Sequence, residues 1–216
     1  MLHDVTFNNE KSAYKDWNIV LTEVELPPPE PKTMAVEITG ADGIIDLSEV
    51  LTGDIKYSTR KIKLKFEVMD DKQYYSITSE IAKYLHGKNV TFKLNDDDNY
   101  YYTGRAIINS WECVKRKGVI IITIVADPYK YEITEKIYNI TLRSNETKDV
   151  VLINGRKHVC PILDVTGSVN LIWNGATYTL SEGKQQVIRF VLNEGNNLVS
   201  FSGTGTVKIT YRKGEL

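Results

Sequence analysis

Charged and apolar residues alternate without a break from Lys61 to Val68. Side chains on a strand point to opposite faces in turn, so this pattern predicts Ile62, Leu64, Phe66 and Val68 over a core and Lys61, Lys63, Lys65 and Glu67 in water. Trp17–Leu26 predicts an earlier strand, stopped by Pro27-Pro28-Pro29-Glu30-Pro31, a run that cannot donate ladder hydrogen bonds. Alternation resumes at Met34, Val36 and Ile38, which predicts a long hairpin with a stiff proline tip. Apolar spacing of three and four residues over Ile77, Ile81, Ala82 and Leu85 predicts one helix. Ser76 or Thr78 is expected to cap it, with Glu80 near its first turn and Gly87 just past its end.

After the helix the pattern returns to strands. Val90–Leu94, a turn at Asn95–Asn99 and Tyr100–Ile108 predict a hairpin. Trp111–Lys115, a turn at Arg116-Lys117-Gly118 and Val119–Val125 predict another, and the second arm is apolar on both faces, as in a central strand. From about Ile137 onward only short strands and turns are predicted. Asn154-Gly155 and Asn174-Gly175 are two-residue hairpin signals, because a type I′ turn needs positive φ twice. Pro161–Val165, Val169–Trp173, Gln186–Leu192, Leu198–Phe201 and Thr206–Tyr211 supply the strands of a β-sandwich. The expected organisation is a mainly β chain, with an N-terminal β-rich domain carrying one helix (1–136) and a C-terminal β-sandwich (137–216).

Composition sharpens this picture slightly. The 216 residues are 42% hydrophobic and carry a formal net charge of −1, so no bulk electrostatic attraction to nucleic acid is implied. Residues 1–136 hold 18 basic and 22 acidic groups and residues 137–216 hold 9 and 6, a sign change that supports two domains. No signal peptide and no membrane-spanning run is predicted. Cys113 and Cys160 cannot build a disulfide framework and are expected to be thiols. Asn-X-Thr occurs at Asn89, Asn139 and Asn145, and without a signal peptide these are chance matches.

Candidate chemistry is sparse. His3, His86 and His158 have no partner at metal-ligand spacing, and His86 is expected to favour the helix dipole as a cation. Nucleophile elbows, P-loops and dinucleotide fingerprints are absent from the sequence. Ser202-Gly203-Thr204-Gly205-Thr206 precedes no helix, and Asp96-Asp97-Asp98 lacks the distal Glu and central Gly of a calcium loop. No catalytic residue, cofactor or metal is expected. Tyr100-Tyr101-Tyr102 is expected to pack a strand face or an interface rather than to stack on bases.

Taken in order, several segments resemble the distal tail protein family of long-tailed phages, with relatives in phage-tail-like bacteriocins. They are Asp42-Gly43-Ile44-Ile45-Asp46-Leu47-Ser48-Glu49, Leu51-Thr52-Gly53, Tyr57, Arg60, the Ile62/Leu64/Phe66 strand, helix 77–86, Ala126-Asp127-Pro128-Tyr129-Lys130 and the terminal Val207/Ile209/Tyr211-Arg212/Gly214/Leu216 pattern. The resemblance implies an N-terminal split-barrel or sandwich domain and a galectin-like C-terminal β-sandwich. It also implies a hexameric ring of copies of this chain. The ring would join the tail tube protein to the tail-tip hub or fibre proteins of the virion and leave a channel through which DNA passes without specific binding. Assembly in the bacterial host cytoplasm, with no membrane partner, is implied as well. Rigid projections suit ring contacts, which makes the Gly40–Gly53 loop and the proline segment the candidate interface, through Pro28, Pro29, Asp42, Ile44, Leu47 and Leu51. The alternative expectation is a carbohydrate-binding sandwich that recognises host wall glycans through Trp173 and Tyr178. The sugar-binding motifs of galectins are not present, since His158 precedes Val-Cys-Pro and Trp173 precedes Asn174-Gly175. A wall hydrolase would need a carboxylate pair in a cleft, and no pairing is suggested among the six acids of residues 137–216.

Overall fold

A computed structural model describes residues 4–40, 42–69, 73–114 and 117–216; for 113, 114, 117 and 145 it describes the backbone alone. The chain divides into two compact units, one running to Lys130 and the other spanning Tyr131–Glu215. The expected division stood at 136/137. The architecture is mainly β, with two α-helices among the described residues.

The first unit contains strands β1 (Val5–Phe7), β2 (Lys11–Ser12), β3 (Ile19–Glu25), β4 (Pro31–Lys32), β5 (Ala35–Glu37), β6 (Ile44–Asp46), β7 (Lys56–Tyr57), β8 (Arg60–Val68), β9 (Asn89–Leu94), β10 (Tyr100–Val114) and β11 (Lys117–Ala126), with helices α1 (Ala13–Trp17) and α2 (Tyr74–Leu85). Seven strands form one antiparallel sheet in the order β2-β1-β9-β10-β11-β8-β3. The predicted period holds on β8, where Ile62, Leu64, Phe66 and Val68 are buried. On its other face Lys63 and Lys65 reach Glu25 (2.7 Å) and Glu23 (3.3 Å) on β3. These pairs are half in water and contribute little stability beyond fixing register. Ile120, Ile122, Ile124 and Ala126 bury one face of central β11, while Val119, Ile121, Thr123 and Val125 are half-buried on the other.

Helix α2 buries Tyr74, Ile77, Thr78, Ile81 and Leu85 in the core that the sheet also lines. It begins two residues before Ser76, so neither expected cap is at its end. Gln73 stands at the N-cap without a side-chain bond, and the Thr78 hydroxyl donates back to the Tyr74 carbonyl at 2.9 Å. Trp17 was expected in a strand. It lies instead in the short helix α1, whose N-cap Ser12 accepts from the Lys15 N–H at 2.9 Å. The Trp17 indole N–H donates to Glu80 Oε1 at 3.0 Å, which joins the two helices.

Past α2, Gly87 takes φ +76°. The edge of β10 beyond the end of β9 is closed by this turn: Gly87 N–H donates to the Ala106 carbonyl, and Ile108 N–H donates to His86 Nδ1 at 3.1 Å. His86, at the C-cap of α2, thus also serves as a cap for the backbone of β10. Lys117 and Gly118 pair with Val114 and Cys113, so they belong to β11 rather than to a turn. Arg116, the first residue of that expected turn, and His3 lie outside the described residues. Asp97 lies in the connection between β9 and β10. It accepts from Lys130 Nζ at 2.9 Å and from the Tyr102 hydroxyl at 3.3 Å.

The second unit is built from β12 (Lys130–Glu132), β13 (Lys136–Asn154), β14 (Ile162–Trp173), β15 (Ala176–Leu180), β16 (Gly183–Gln185), β17 (Gly195–Tyr211) and β18 (Gly214–Glu215). β13, β17, β14 and β15 pair antiparallel in that order, and β16 adds to β14. The short strands expected here are halves of long ones. Pro161–Val165 and Val169–Trp173 join into β14 across Gly167, and Leu198–Phe201 and Thr206–Tyr211 join into β17 across Gly203–Gly205. β13 bends in step, with a register shift between Leu142 and Glu146 and Ser144 at φ 39°. The long strands thus fold one sheet over on itself, enclosing Leu152, Leu163, Val165, Leu171, Phe201 and Ile209 in one core.

Glycine makes this corner possible. A Cβ on Gly205 (φ +147°) would lie 2.0 Å from the Thr166 carbonyl oxygen, and one on Gly203 (φ +124°) 2.2 Å from that of Ser168. The Asn174-Gly175 hairpin forms as expected, with φ 50° and 77° between paired Trp173 and Ala176. Asn154-Gly155 does not. Asn154 is buried, and its amide donates to the Lys157 and Leu192 carbonyls at 2.8 and 3.2 Å, so it pins a loop instead of turning a hairpin. Gln186–Leu192 carries no strand beyond a single bridge at Leu192, although Phe190 and Leu192 are core residues.

Gly205→Ala should therefore destabilise the second unit by about 2–3 kcal/mol, from backbone strain together with a carbonyl that cannot move aside. Denaturant unfolding of the two proteins measures this, with Gly40→Ala as the comparison, where the same positive φ class meets open space. His86→Leu should cost about 1–2 kcal/mol by orphaning the Ile108 N–H, read as lost amide-exchange protection at Ile108.

Candidate functional site

Between β3 and β8 the chain leaves the main sheet for residues 26–59 and returns. The excursion is held by two short ladders: Pro31 and Lys32 pair with Tyr57 and Lys56, and Ala35–Glu37 pair with Ile44–Asp46. The expected proline-tipped hairpin is absent. β3 pairs with β8, and the prolines form the root of this arm, where the Glu30 carbonyl accepts from Ser58 N–H at 2.8 Å.

The tip of the arm is ordered by local bonds. Asp46 Oδ1 accepts from the Ser48 N–H at 2.9 Å and from the Ser48 hydroxyl, whose oxygen accepts from Met34 N–H at 2.8 Å. Leu47 N–H closes onto the Met34 carbonyl at 2.7 Å. A tight turn follows, with Gly53 N–H on the Glu49 carbonyl at 2.7 Å. Gly40 (φ 91°) and Gly43 (φ 79°) bracket the β5–β6 connection.

Among the described residues no layer covers this ribbon. Ile44 is 62% exposed and Leu51 92%. Met34, Val36, Ile38, Ile45 and Val50 are exposed with them. Residues 33–55 also hold Glu37, Asp42, Asp46, Glu49 and Asp54 and contain no Lys, Arg or His. A two-stranded ribbon is marginal alone, and a contiguous exposed apolar surface marks a contact site.

Of the six residues singled out from the sequence, Asp42, Ile44 and Leu51 lie exposed on this arm and Leu47 is half-buried in it. Pro28 is exposed at the root, while Pro29 is buried and packs internally. Trp173 is 6% exposed and its ring meets Phe190 edge-on at 5.2 Å, so its face is not open to a sugar. Tyr178 is half-buried against the same core. Cys160 donates to the Val187 carbonyl at 3.3 Å, and burial raises its thiol pKa. Among the described residues no group of three His, Cys, Asp or Glu side chains is placed to hold a metal ion, and no helix is long and apolar enough to cross a membrane.

Sequence reasoning missed Arg60 as a site residue. It opens β8 in phase with Ile62, Leu64, Phe66 and Val68 and is buried. The signal was its even position: counting the alternation from Lys61 hides a charge one step earlier on the core face.

A helix-covered antiparallel sheet followed by a folded-over sandwich is an arrangement this chain shares with a solved phage protein. The solved SPP1 Dit (gp 19.1) protein, described as a paradigm of the hub adsorption apparatus in phages infecting Gram-positive bacteria, matches over 98% of this chain and 99% of its own, with a TM-score of 0.68 and 14% identity. A chain of the phage P2 baseplate, in its activated conformation with Ca, aligns over 99% and 98% with a TM-score of 0.47 and 7% identity. No family model matches the chain, and no curated protein does.

The Ser48 bonds lower the Asp46 carboxyl pKa from its ordinary value. A lowered folded-state pKa gives stability that is present above the ordinary carboxylate pKa and lost as pH falls through the folded one. The ribbon should therefore loosen on acidification below the ordinary Asp range, seen as faster exchange of the Met34 and Leu47 amides. Asp46→Asn should remove that pH dependence.

Proposed function

We propose that this chain is a structural, non-catalytic subunit of a phage tail tip, a distal tail protein that closes with copies of itself into a ring. The observation that carries this reading is the likeness to the SPP1 Dit fold over 98% of this chain and 99% of that one. In its proposed place the ring is hexameric, joins the tail tube to the baseplate or tail-tip hub, and leaves a channel for DNA. The two units correspond to a ring-forming domain and an outer sandwich. The protein resides in the virion after assembly in the host cytoplasm.

The arm supports the reading on physical grounds. A closed ring needs a heterologous contact, with one patch of each copy meeting a different patch of the next. An uncovered apolar ribbon projecting from a rigid sheet supplies such a patch. The sandwich serves as scaffold in this proposal, because its most promising sugar platform, Trp173, is spent on the core.

Light scattering and negative-stain imaging of the purified protein test the proposal. Rings are expected at micromolar concentration, alone or with neighbouring tail proteins. Ile44→Asp and Leu51→Asp should weaken assembly by at least about tenfold and leave the melting temperature nearly unchanged, as expected for exposed positions. A protein that stays monomeric under all these conditions would contradict the ring.

A further inference from the structure

Arg60 places a charge where the period of β8 calls for an apolar side chain. It is 6% exposed, and its guanidinium carbon lies 5.2 Å from the centroid of the Tyr102 ring. Its Nε and Nη2 have no hydrogen-bond partner. The Asp97 carboxylate that meets the Tyr102 hydroxyl is paired with Lys130. An aromatic face offsets part of the cost of burying a guanidinium, but it cannot satisfy the N–H groups. Arginine has no way out by deprotonation at physiological pH. The isolated subunit thus keeps a buried cation waiting for an anion.

The way in is a cavity of about 340 Å³ lined by Pro27, Pro28, Glu30, Thr59, Arg60 and Lys61. It lies at the root of the arm. Glu30, the one acid on its wall, makes no ion pair with Arg60 among the described residues. The tip of the same arm holds five acids and no base between residues 33 and 55. Asp42 among them is exposed and sits beside the positive-φ Gly43, at the outer turn of the ribbon. Root and tip therefore carry opposite charge at different places on one chain, the requirement for a head-to-tail contact.

We propose that the Arg60 cavity is a carboxylate socket, filled in the assembled ring by an acidic side chain from the arm tip of an adjacent copy. The inference rests on the ring reading and names the polar contact that sets its register. Guanidinium–carboxylate pairing, with the Lys61 ammonium and the Thr59 hydroxyl at the rim, fixes orientation as apolar contacts alone cannot. The apolar ribbon supplies contact area, and the socket decides which surface it meets.

The test uses the full-length protein. Arg60→Met should keep or raise the melting temperature of the subunit, since an unpaired buried charge is removed, and should weaken ring assembly by about tenfold or more in sedimentation. Asp42→Asn, Glu37→Gln and Glu49→Gln lie on the exposed arm, so they leave folding intact. At least one should weaken assembly in the wild-type background and have little further effect on Arg60→Met. Rings that form equally well in Arg60→Met and in all three acid variants would overturn the socket and leave the ring reading standing. Loss of folding in Arg60→Met with full assembly of the acid variants would also overturn it. A Glu30→Gln variant with a depressed melting temperature would show that Glu30 fills the cavity from within and would count against an outside occupant. A chain that never assembles would overturn both proposals.

Discussion

An antiparallel sheet with one apolar face must cover that face, and the two units of this chain meet the requirement differently. In the first, helix α2 and the short α1 lay Trp17, Tyr74, Ile81 and Leu85 into one core with Phe7, Leu64, Phe66 and Phe92 from the sheet. In the second there is no helix, so the sheet covers itself. The bend works because three strands change direction at matching places, and because the backbones at Gly167, Gly203 and Gly205 approach too closely to admit a side chain. Everything else in the sandwich, including the burial of Trp173 and Phe190, follows from that fold-over.

Much of the first unit was legible from periodicity alone. The inward row of β8, the helix face of Ile77, Ile81 and Leu85, and the hairpins at 90–108 and 111–125 all rest on local alternation, which the tertiary structure had no reason to override. The misreadings share one cause, that local signals do not report partners. Trp17 continues an apolar pattern into β3, yet Ser12 and Asp4 fix a helix there: the Asp4 carboxylate accepts from Ser12 Oγ at 2.6 Å and from Tyr14 N–H at 3.0 Å. Met34, Val36 and Ile38 alternate like a core strand, but the segment pairs through Ala35–Glu37 with Ile44–Asp46 instead of with the strand before the prolines. In the second unit glycines were read as chain reversals when they are bends in continuous strands, since nothing local distinguishes Gly203 in a corner from Gly175 in a hairpin.

The candidate site was partly visible. The arm residues Ile44 and Leu51 stood out as a Gly-bracketed segment, and the structure leaves them uncovered. Arg60 did not stand out as a site residue, because its meaning depends on facing inward beside Tyr102 on β10, which is distant in sequence. Tyr102 itself records that setting: burial and the Asp97 charge outweigh the opposing pull of the nearby Arg60, and its pKa is pushed up to about 12, so it stays a neutral donor.

The sign of the arm has a bearing on how free subunits behave before they meet the right surface. An apolar two-stranded ribbon with open edges invites its own copies to stack edge to edge, the route to fibres. Five like charges spread along residues 33–55 make that stacking repulsive at neutral pH and leave attraction to basic surfaces intact. Self-avoidance between ribbons would then keep newly made chains dispersed.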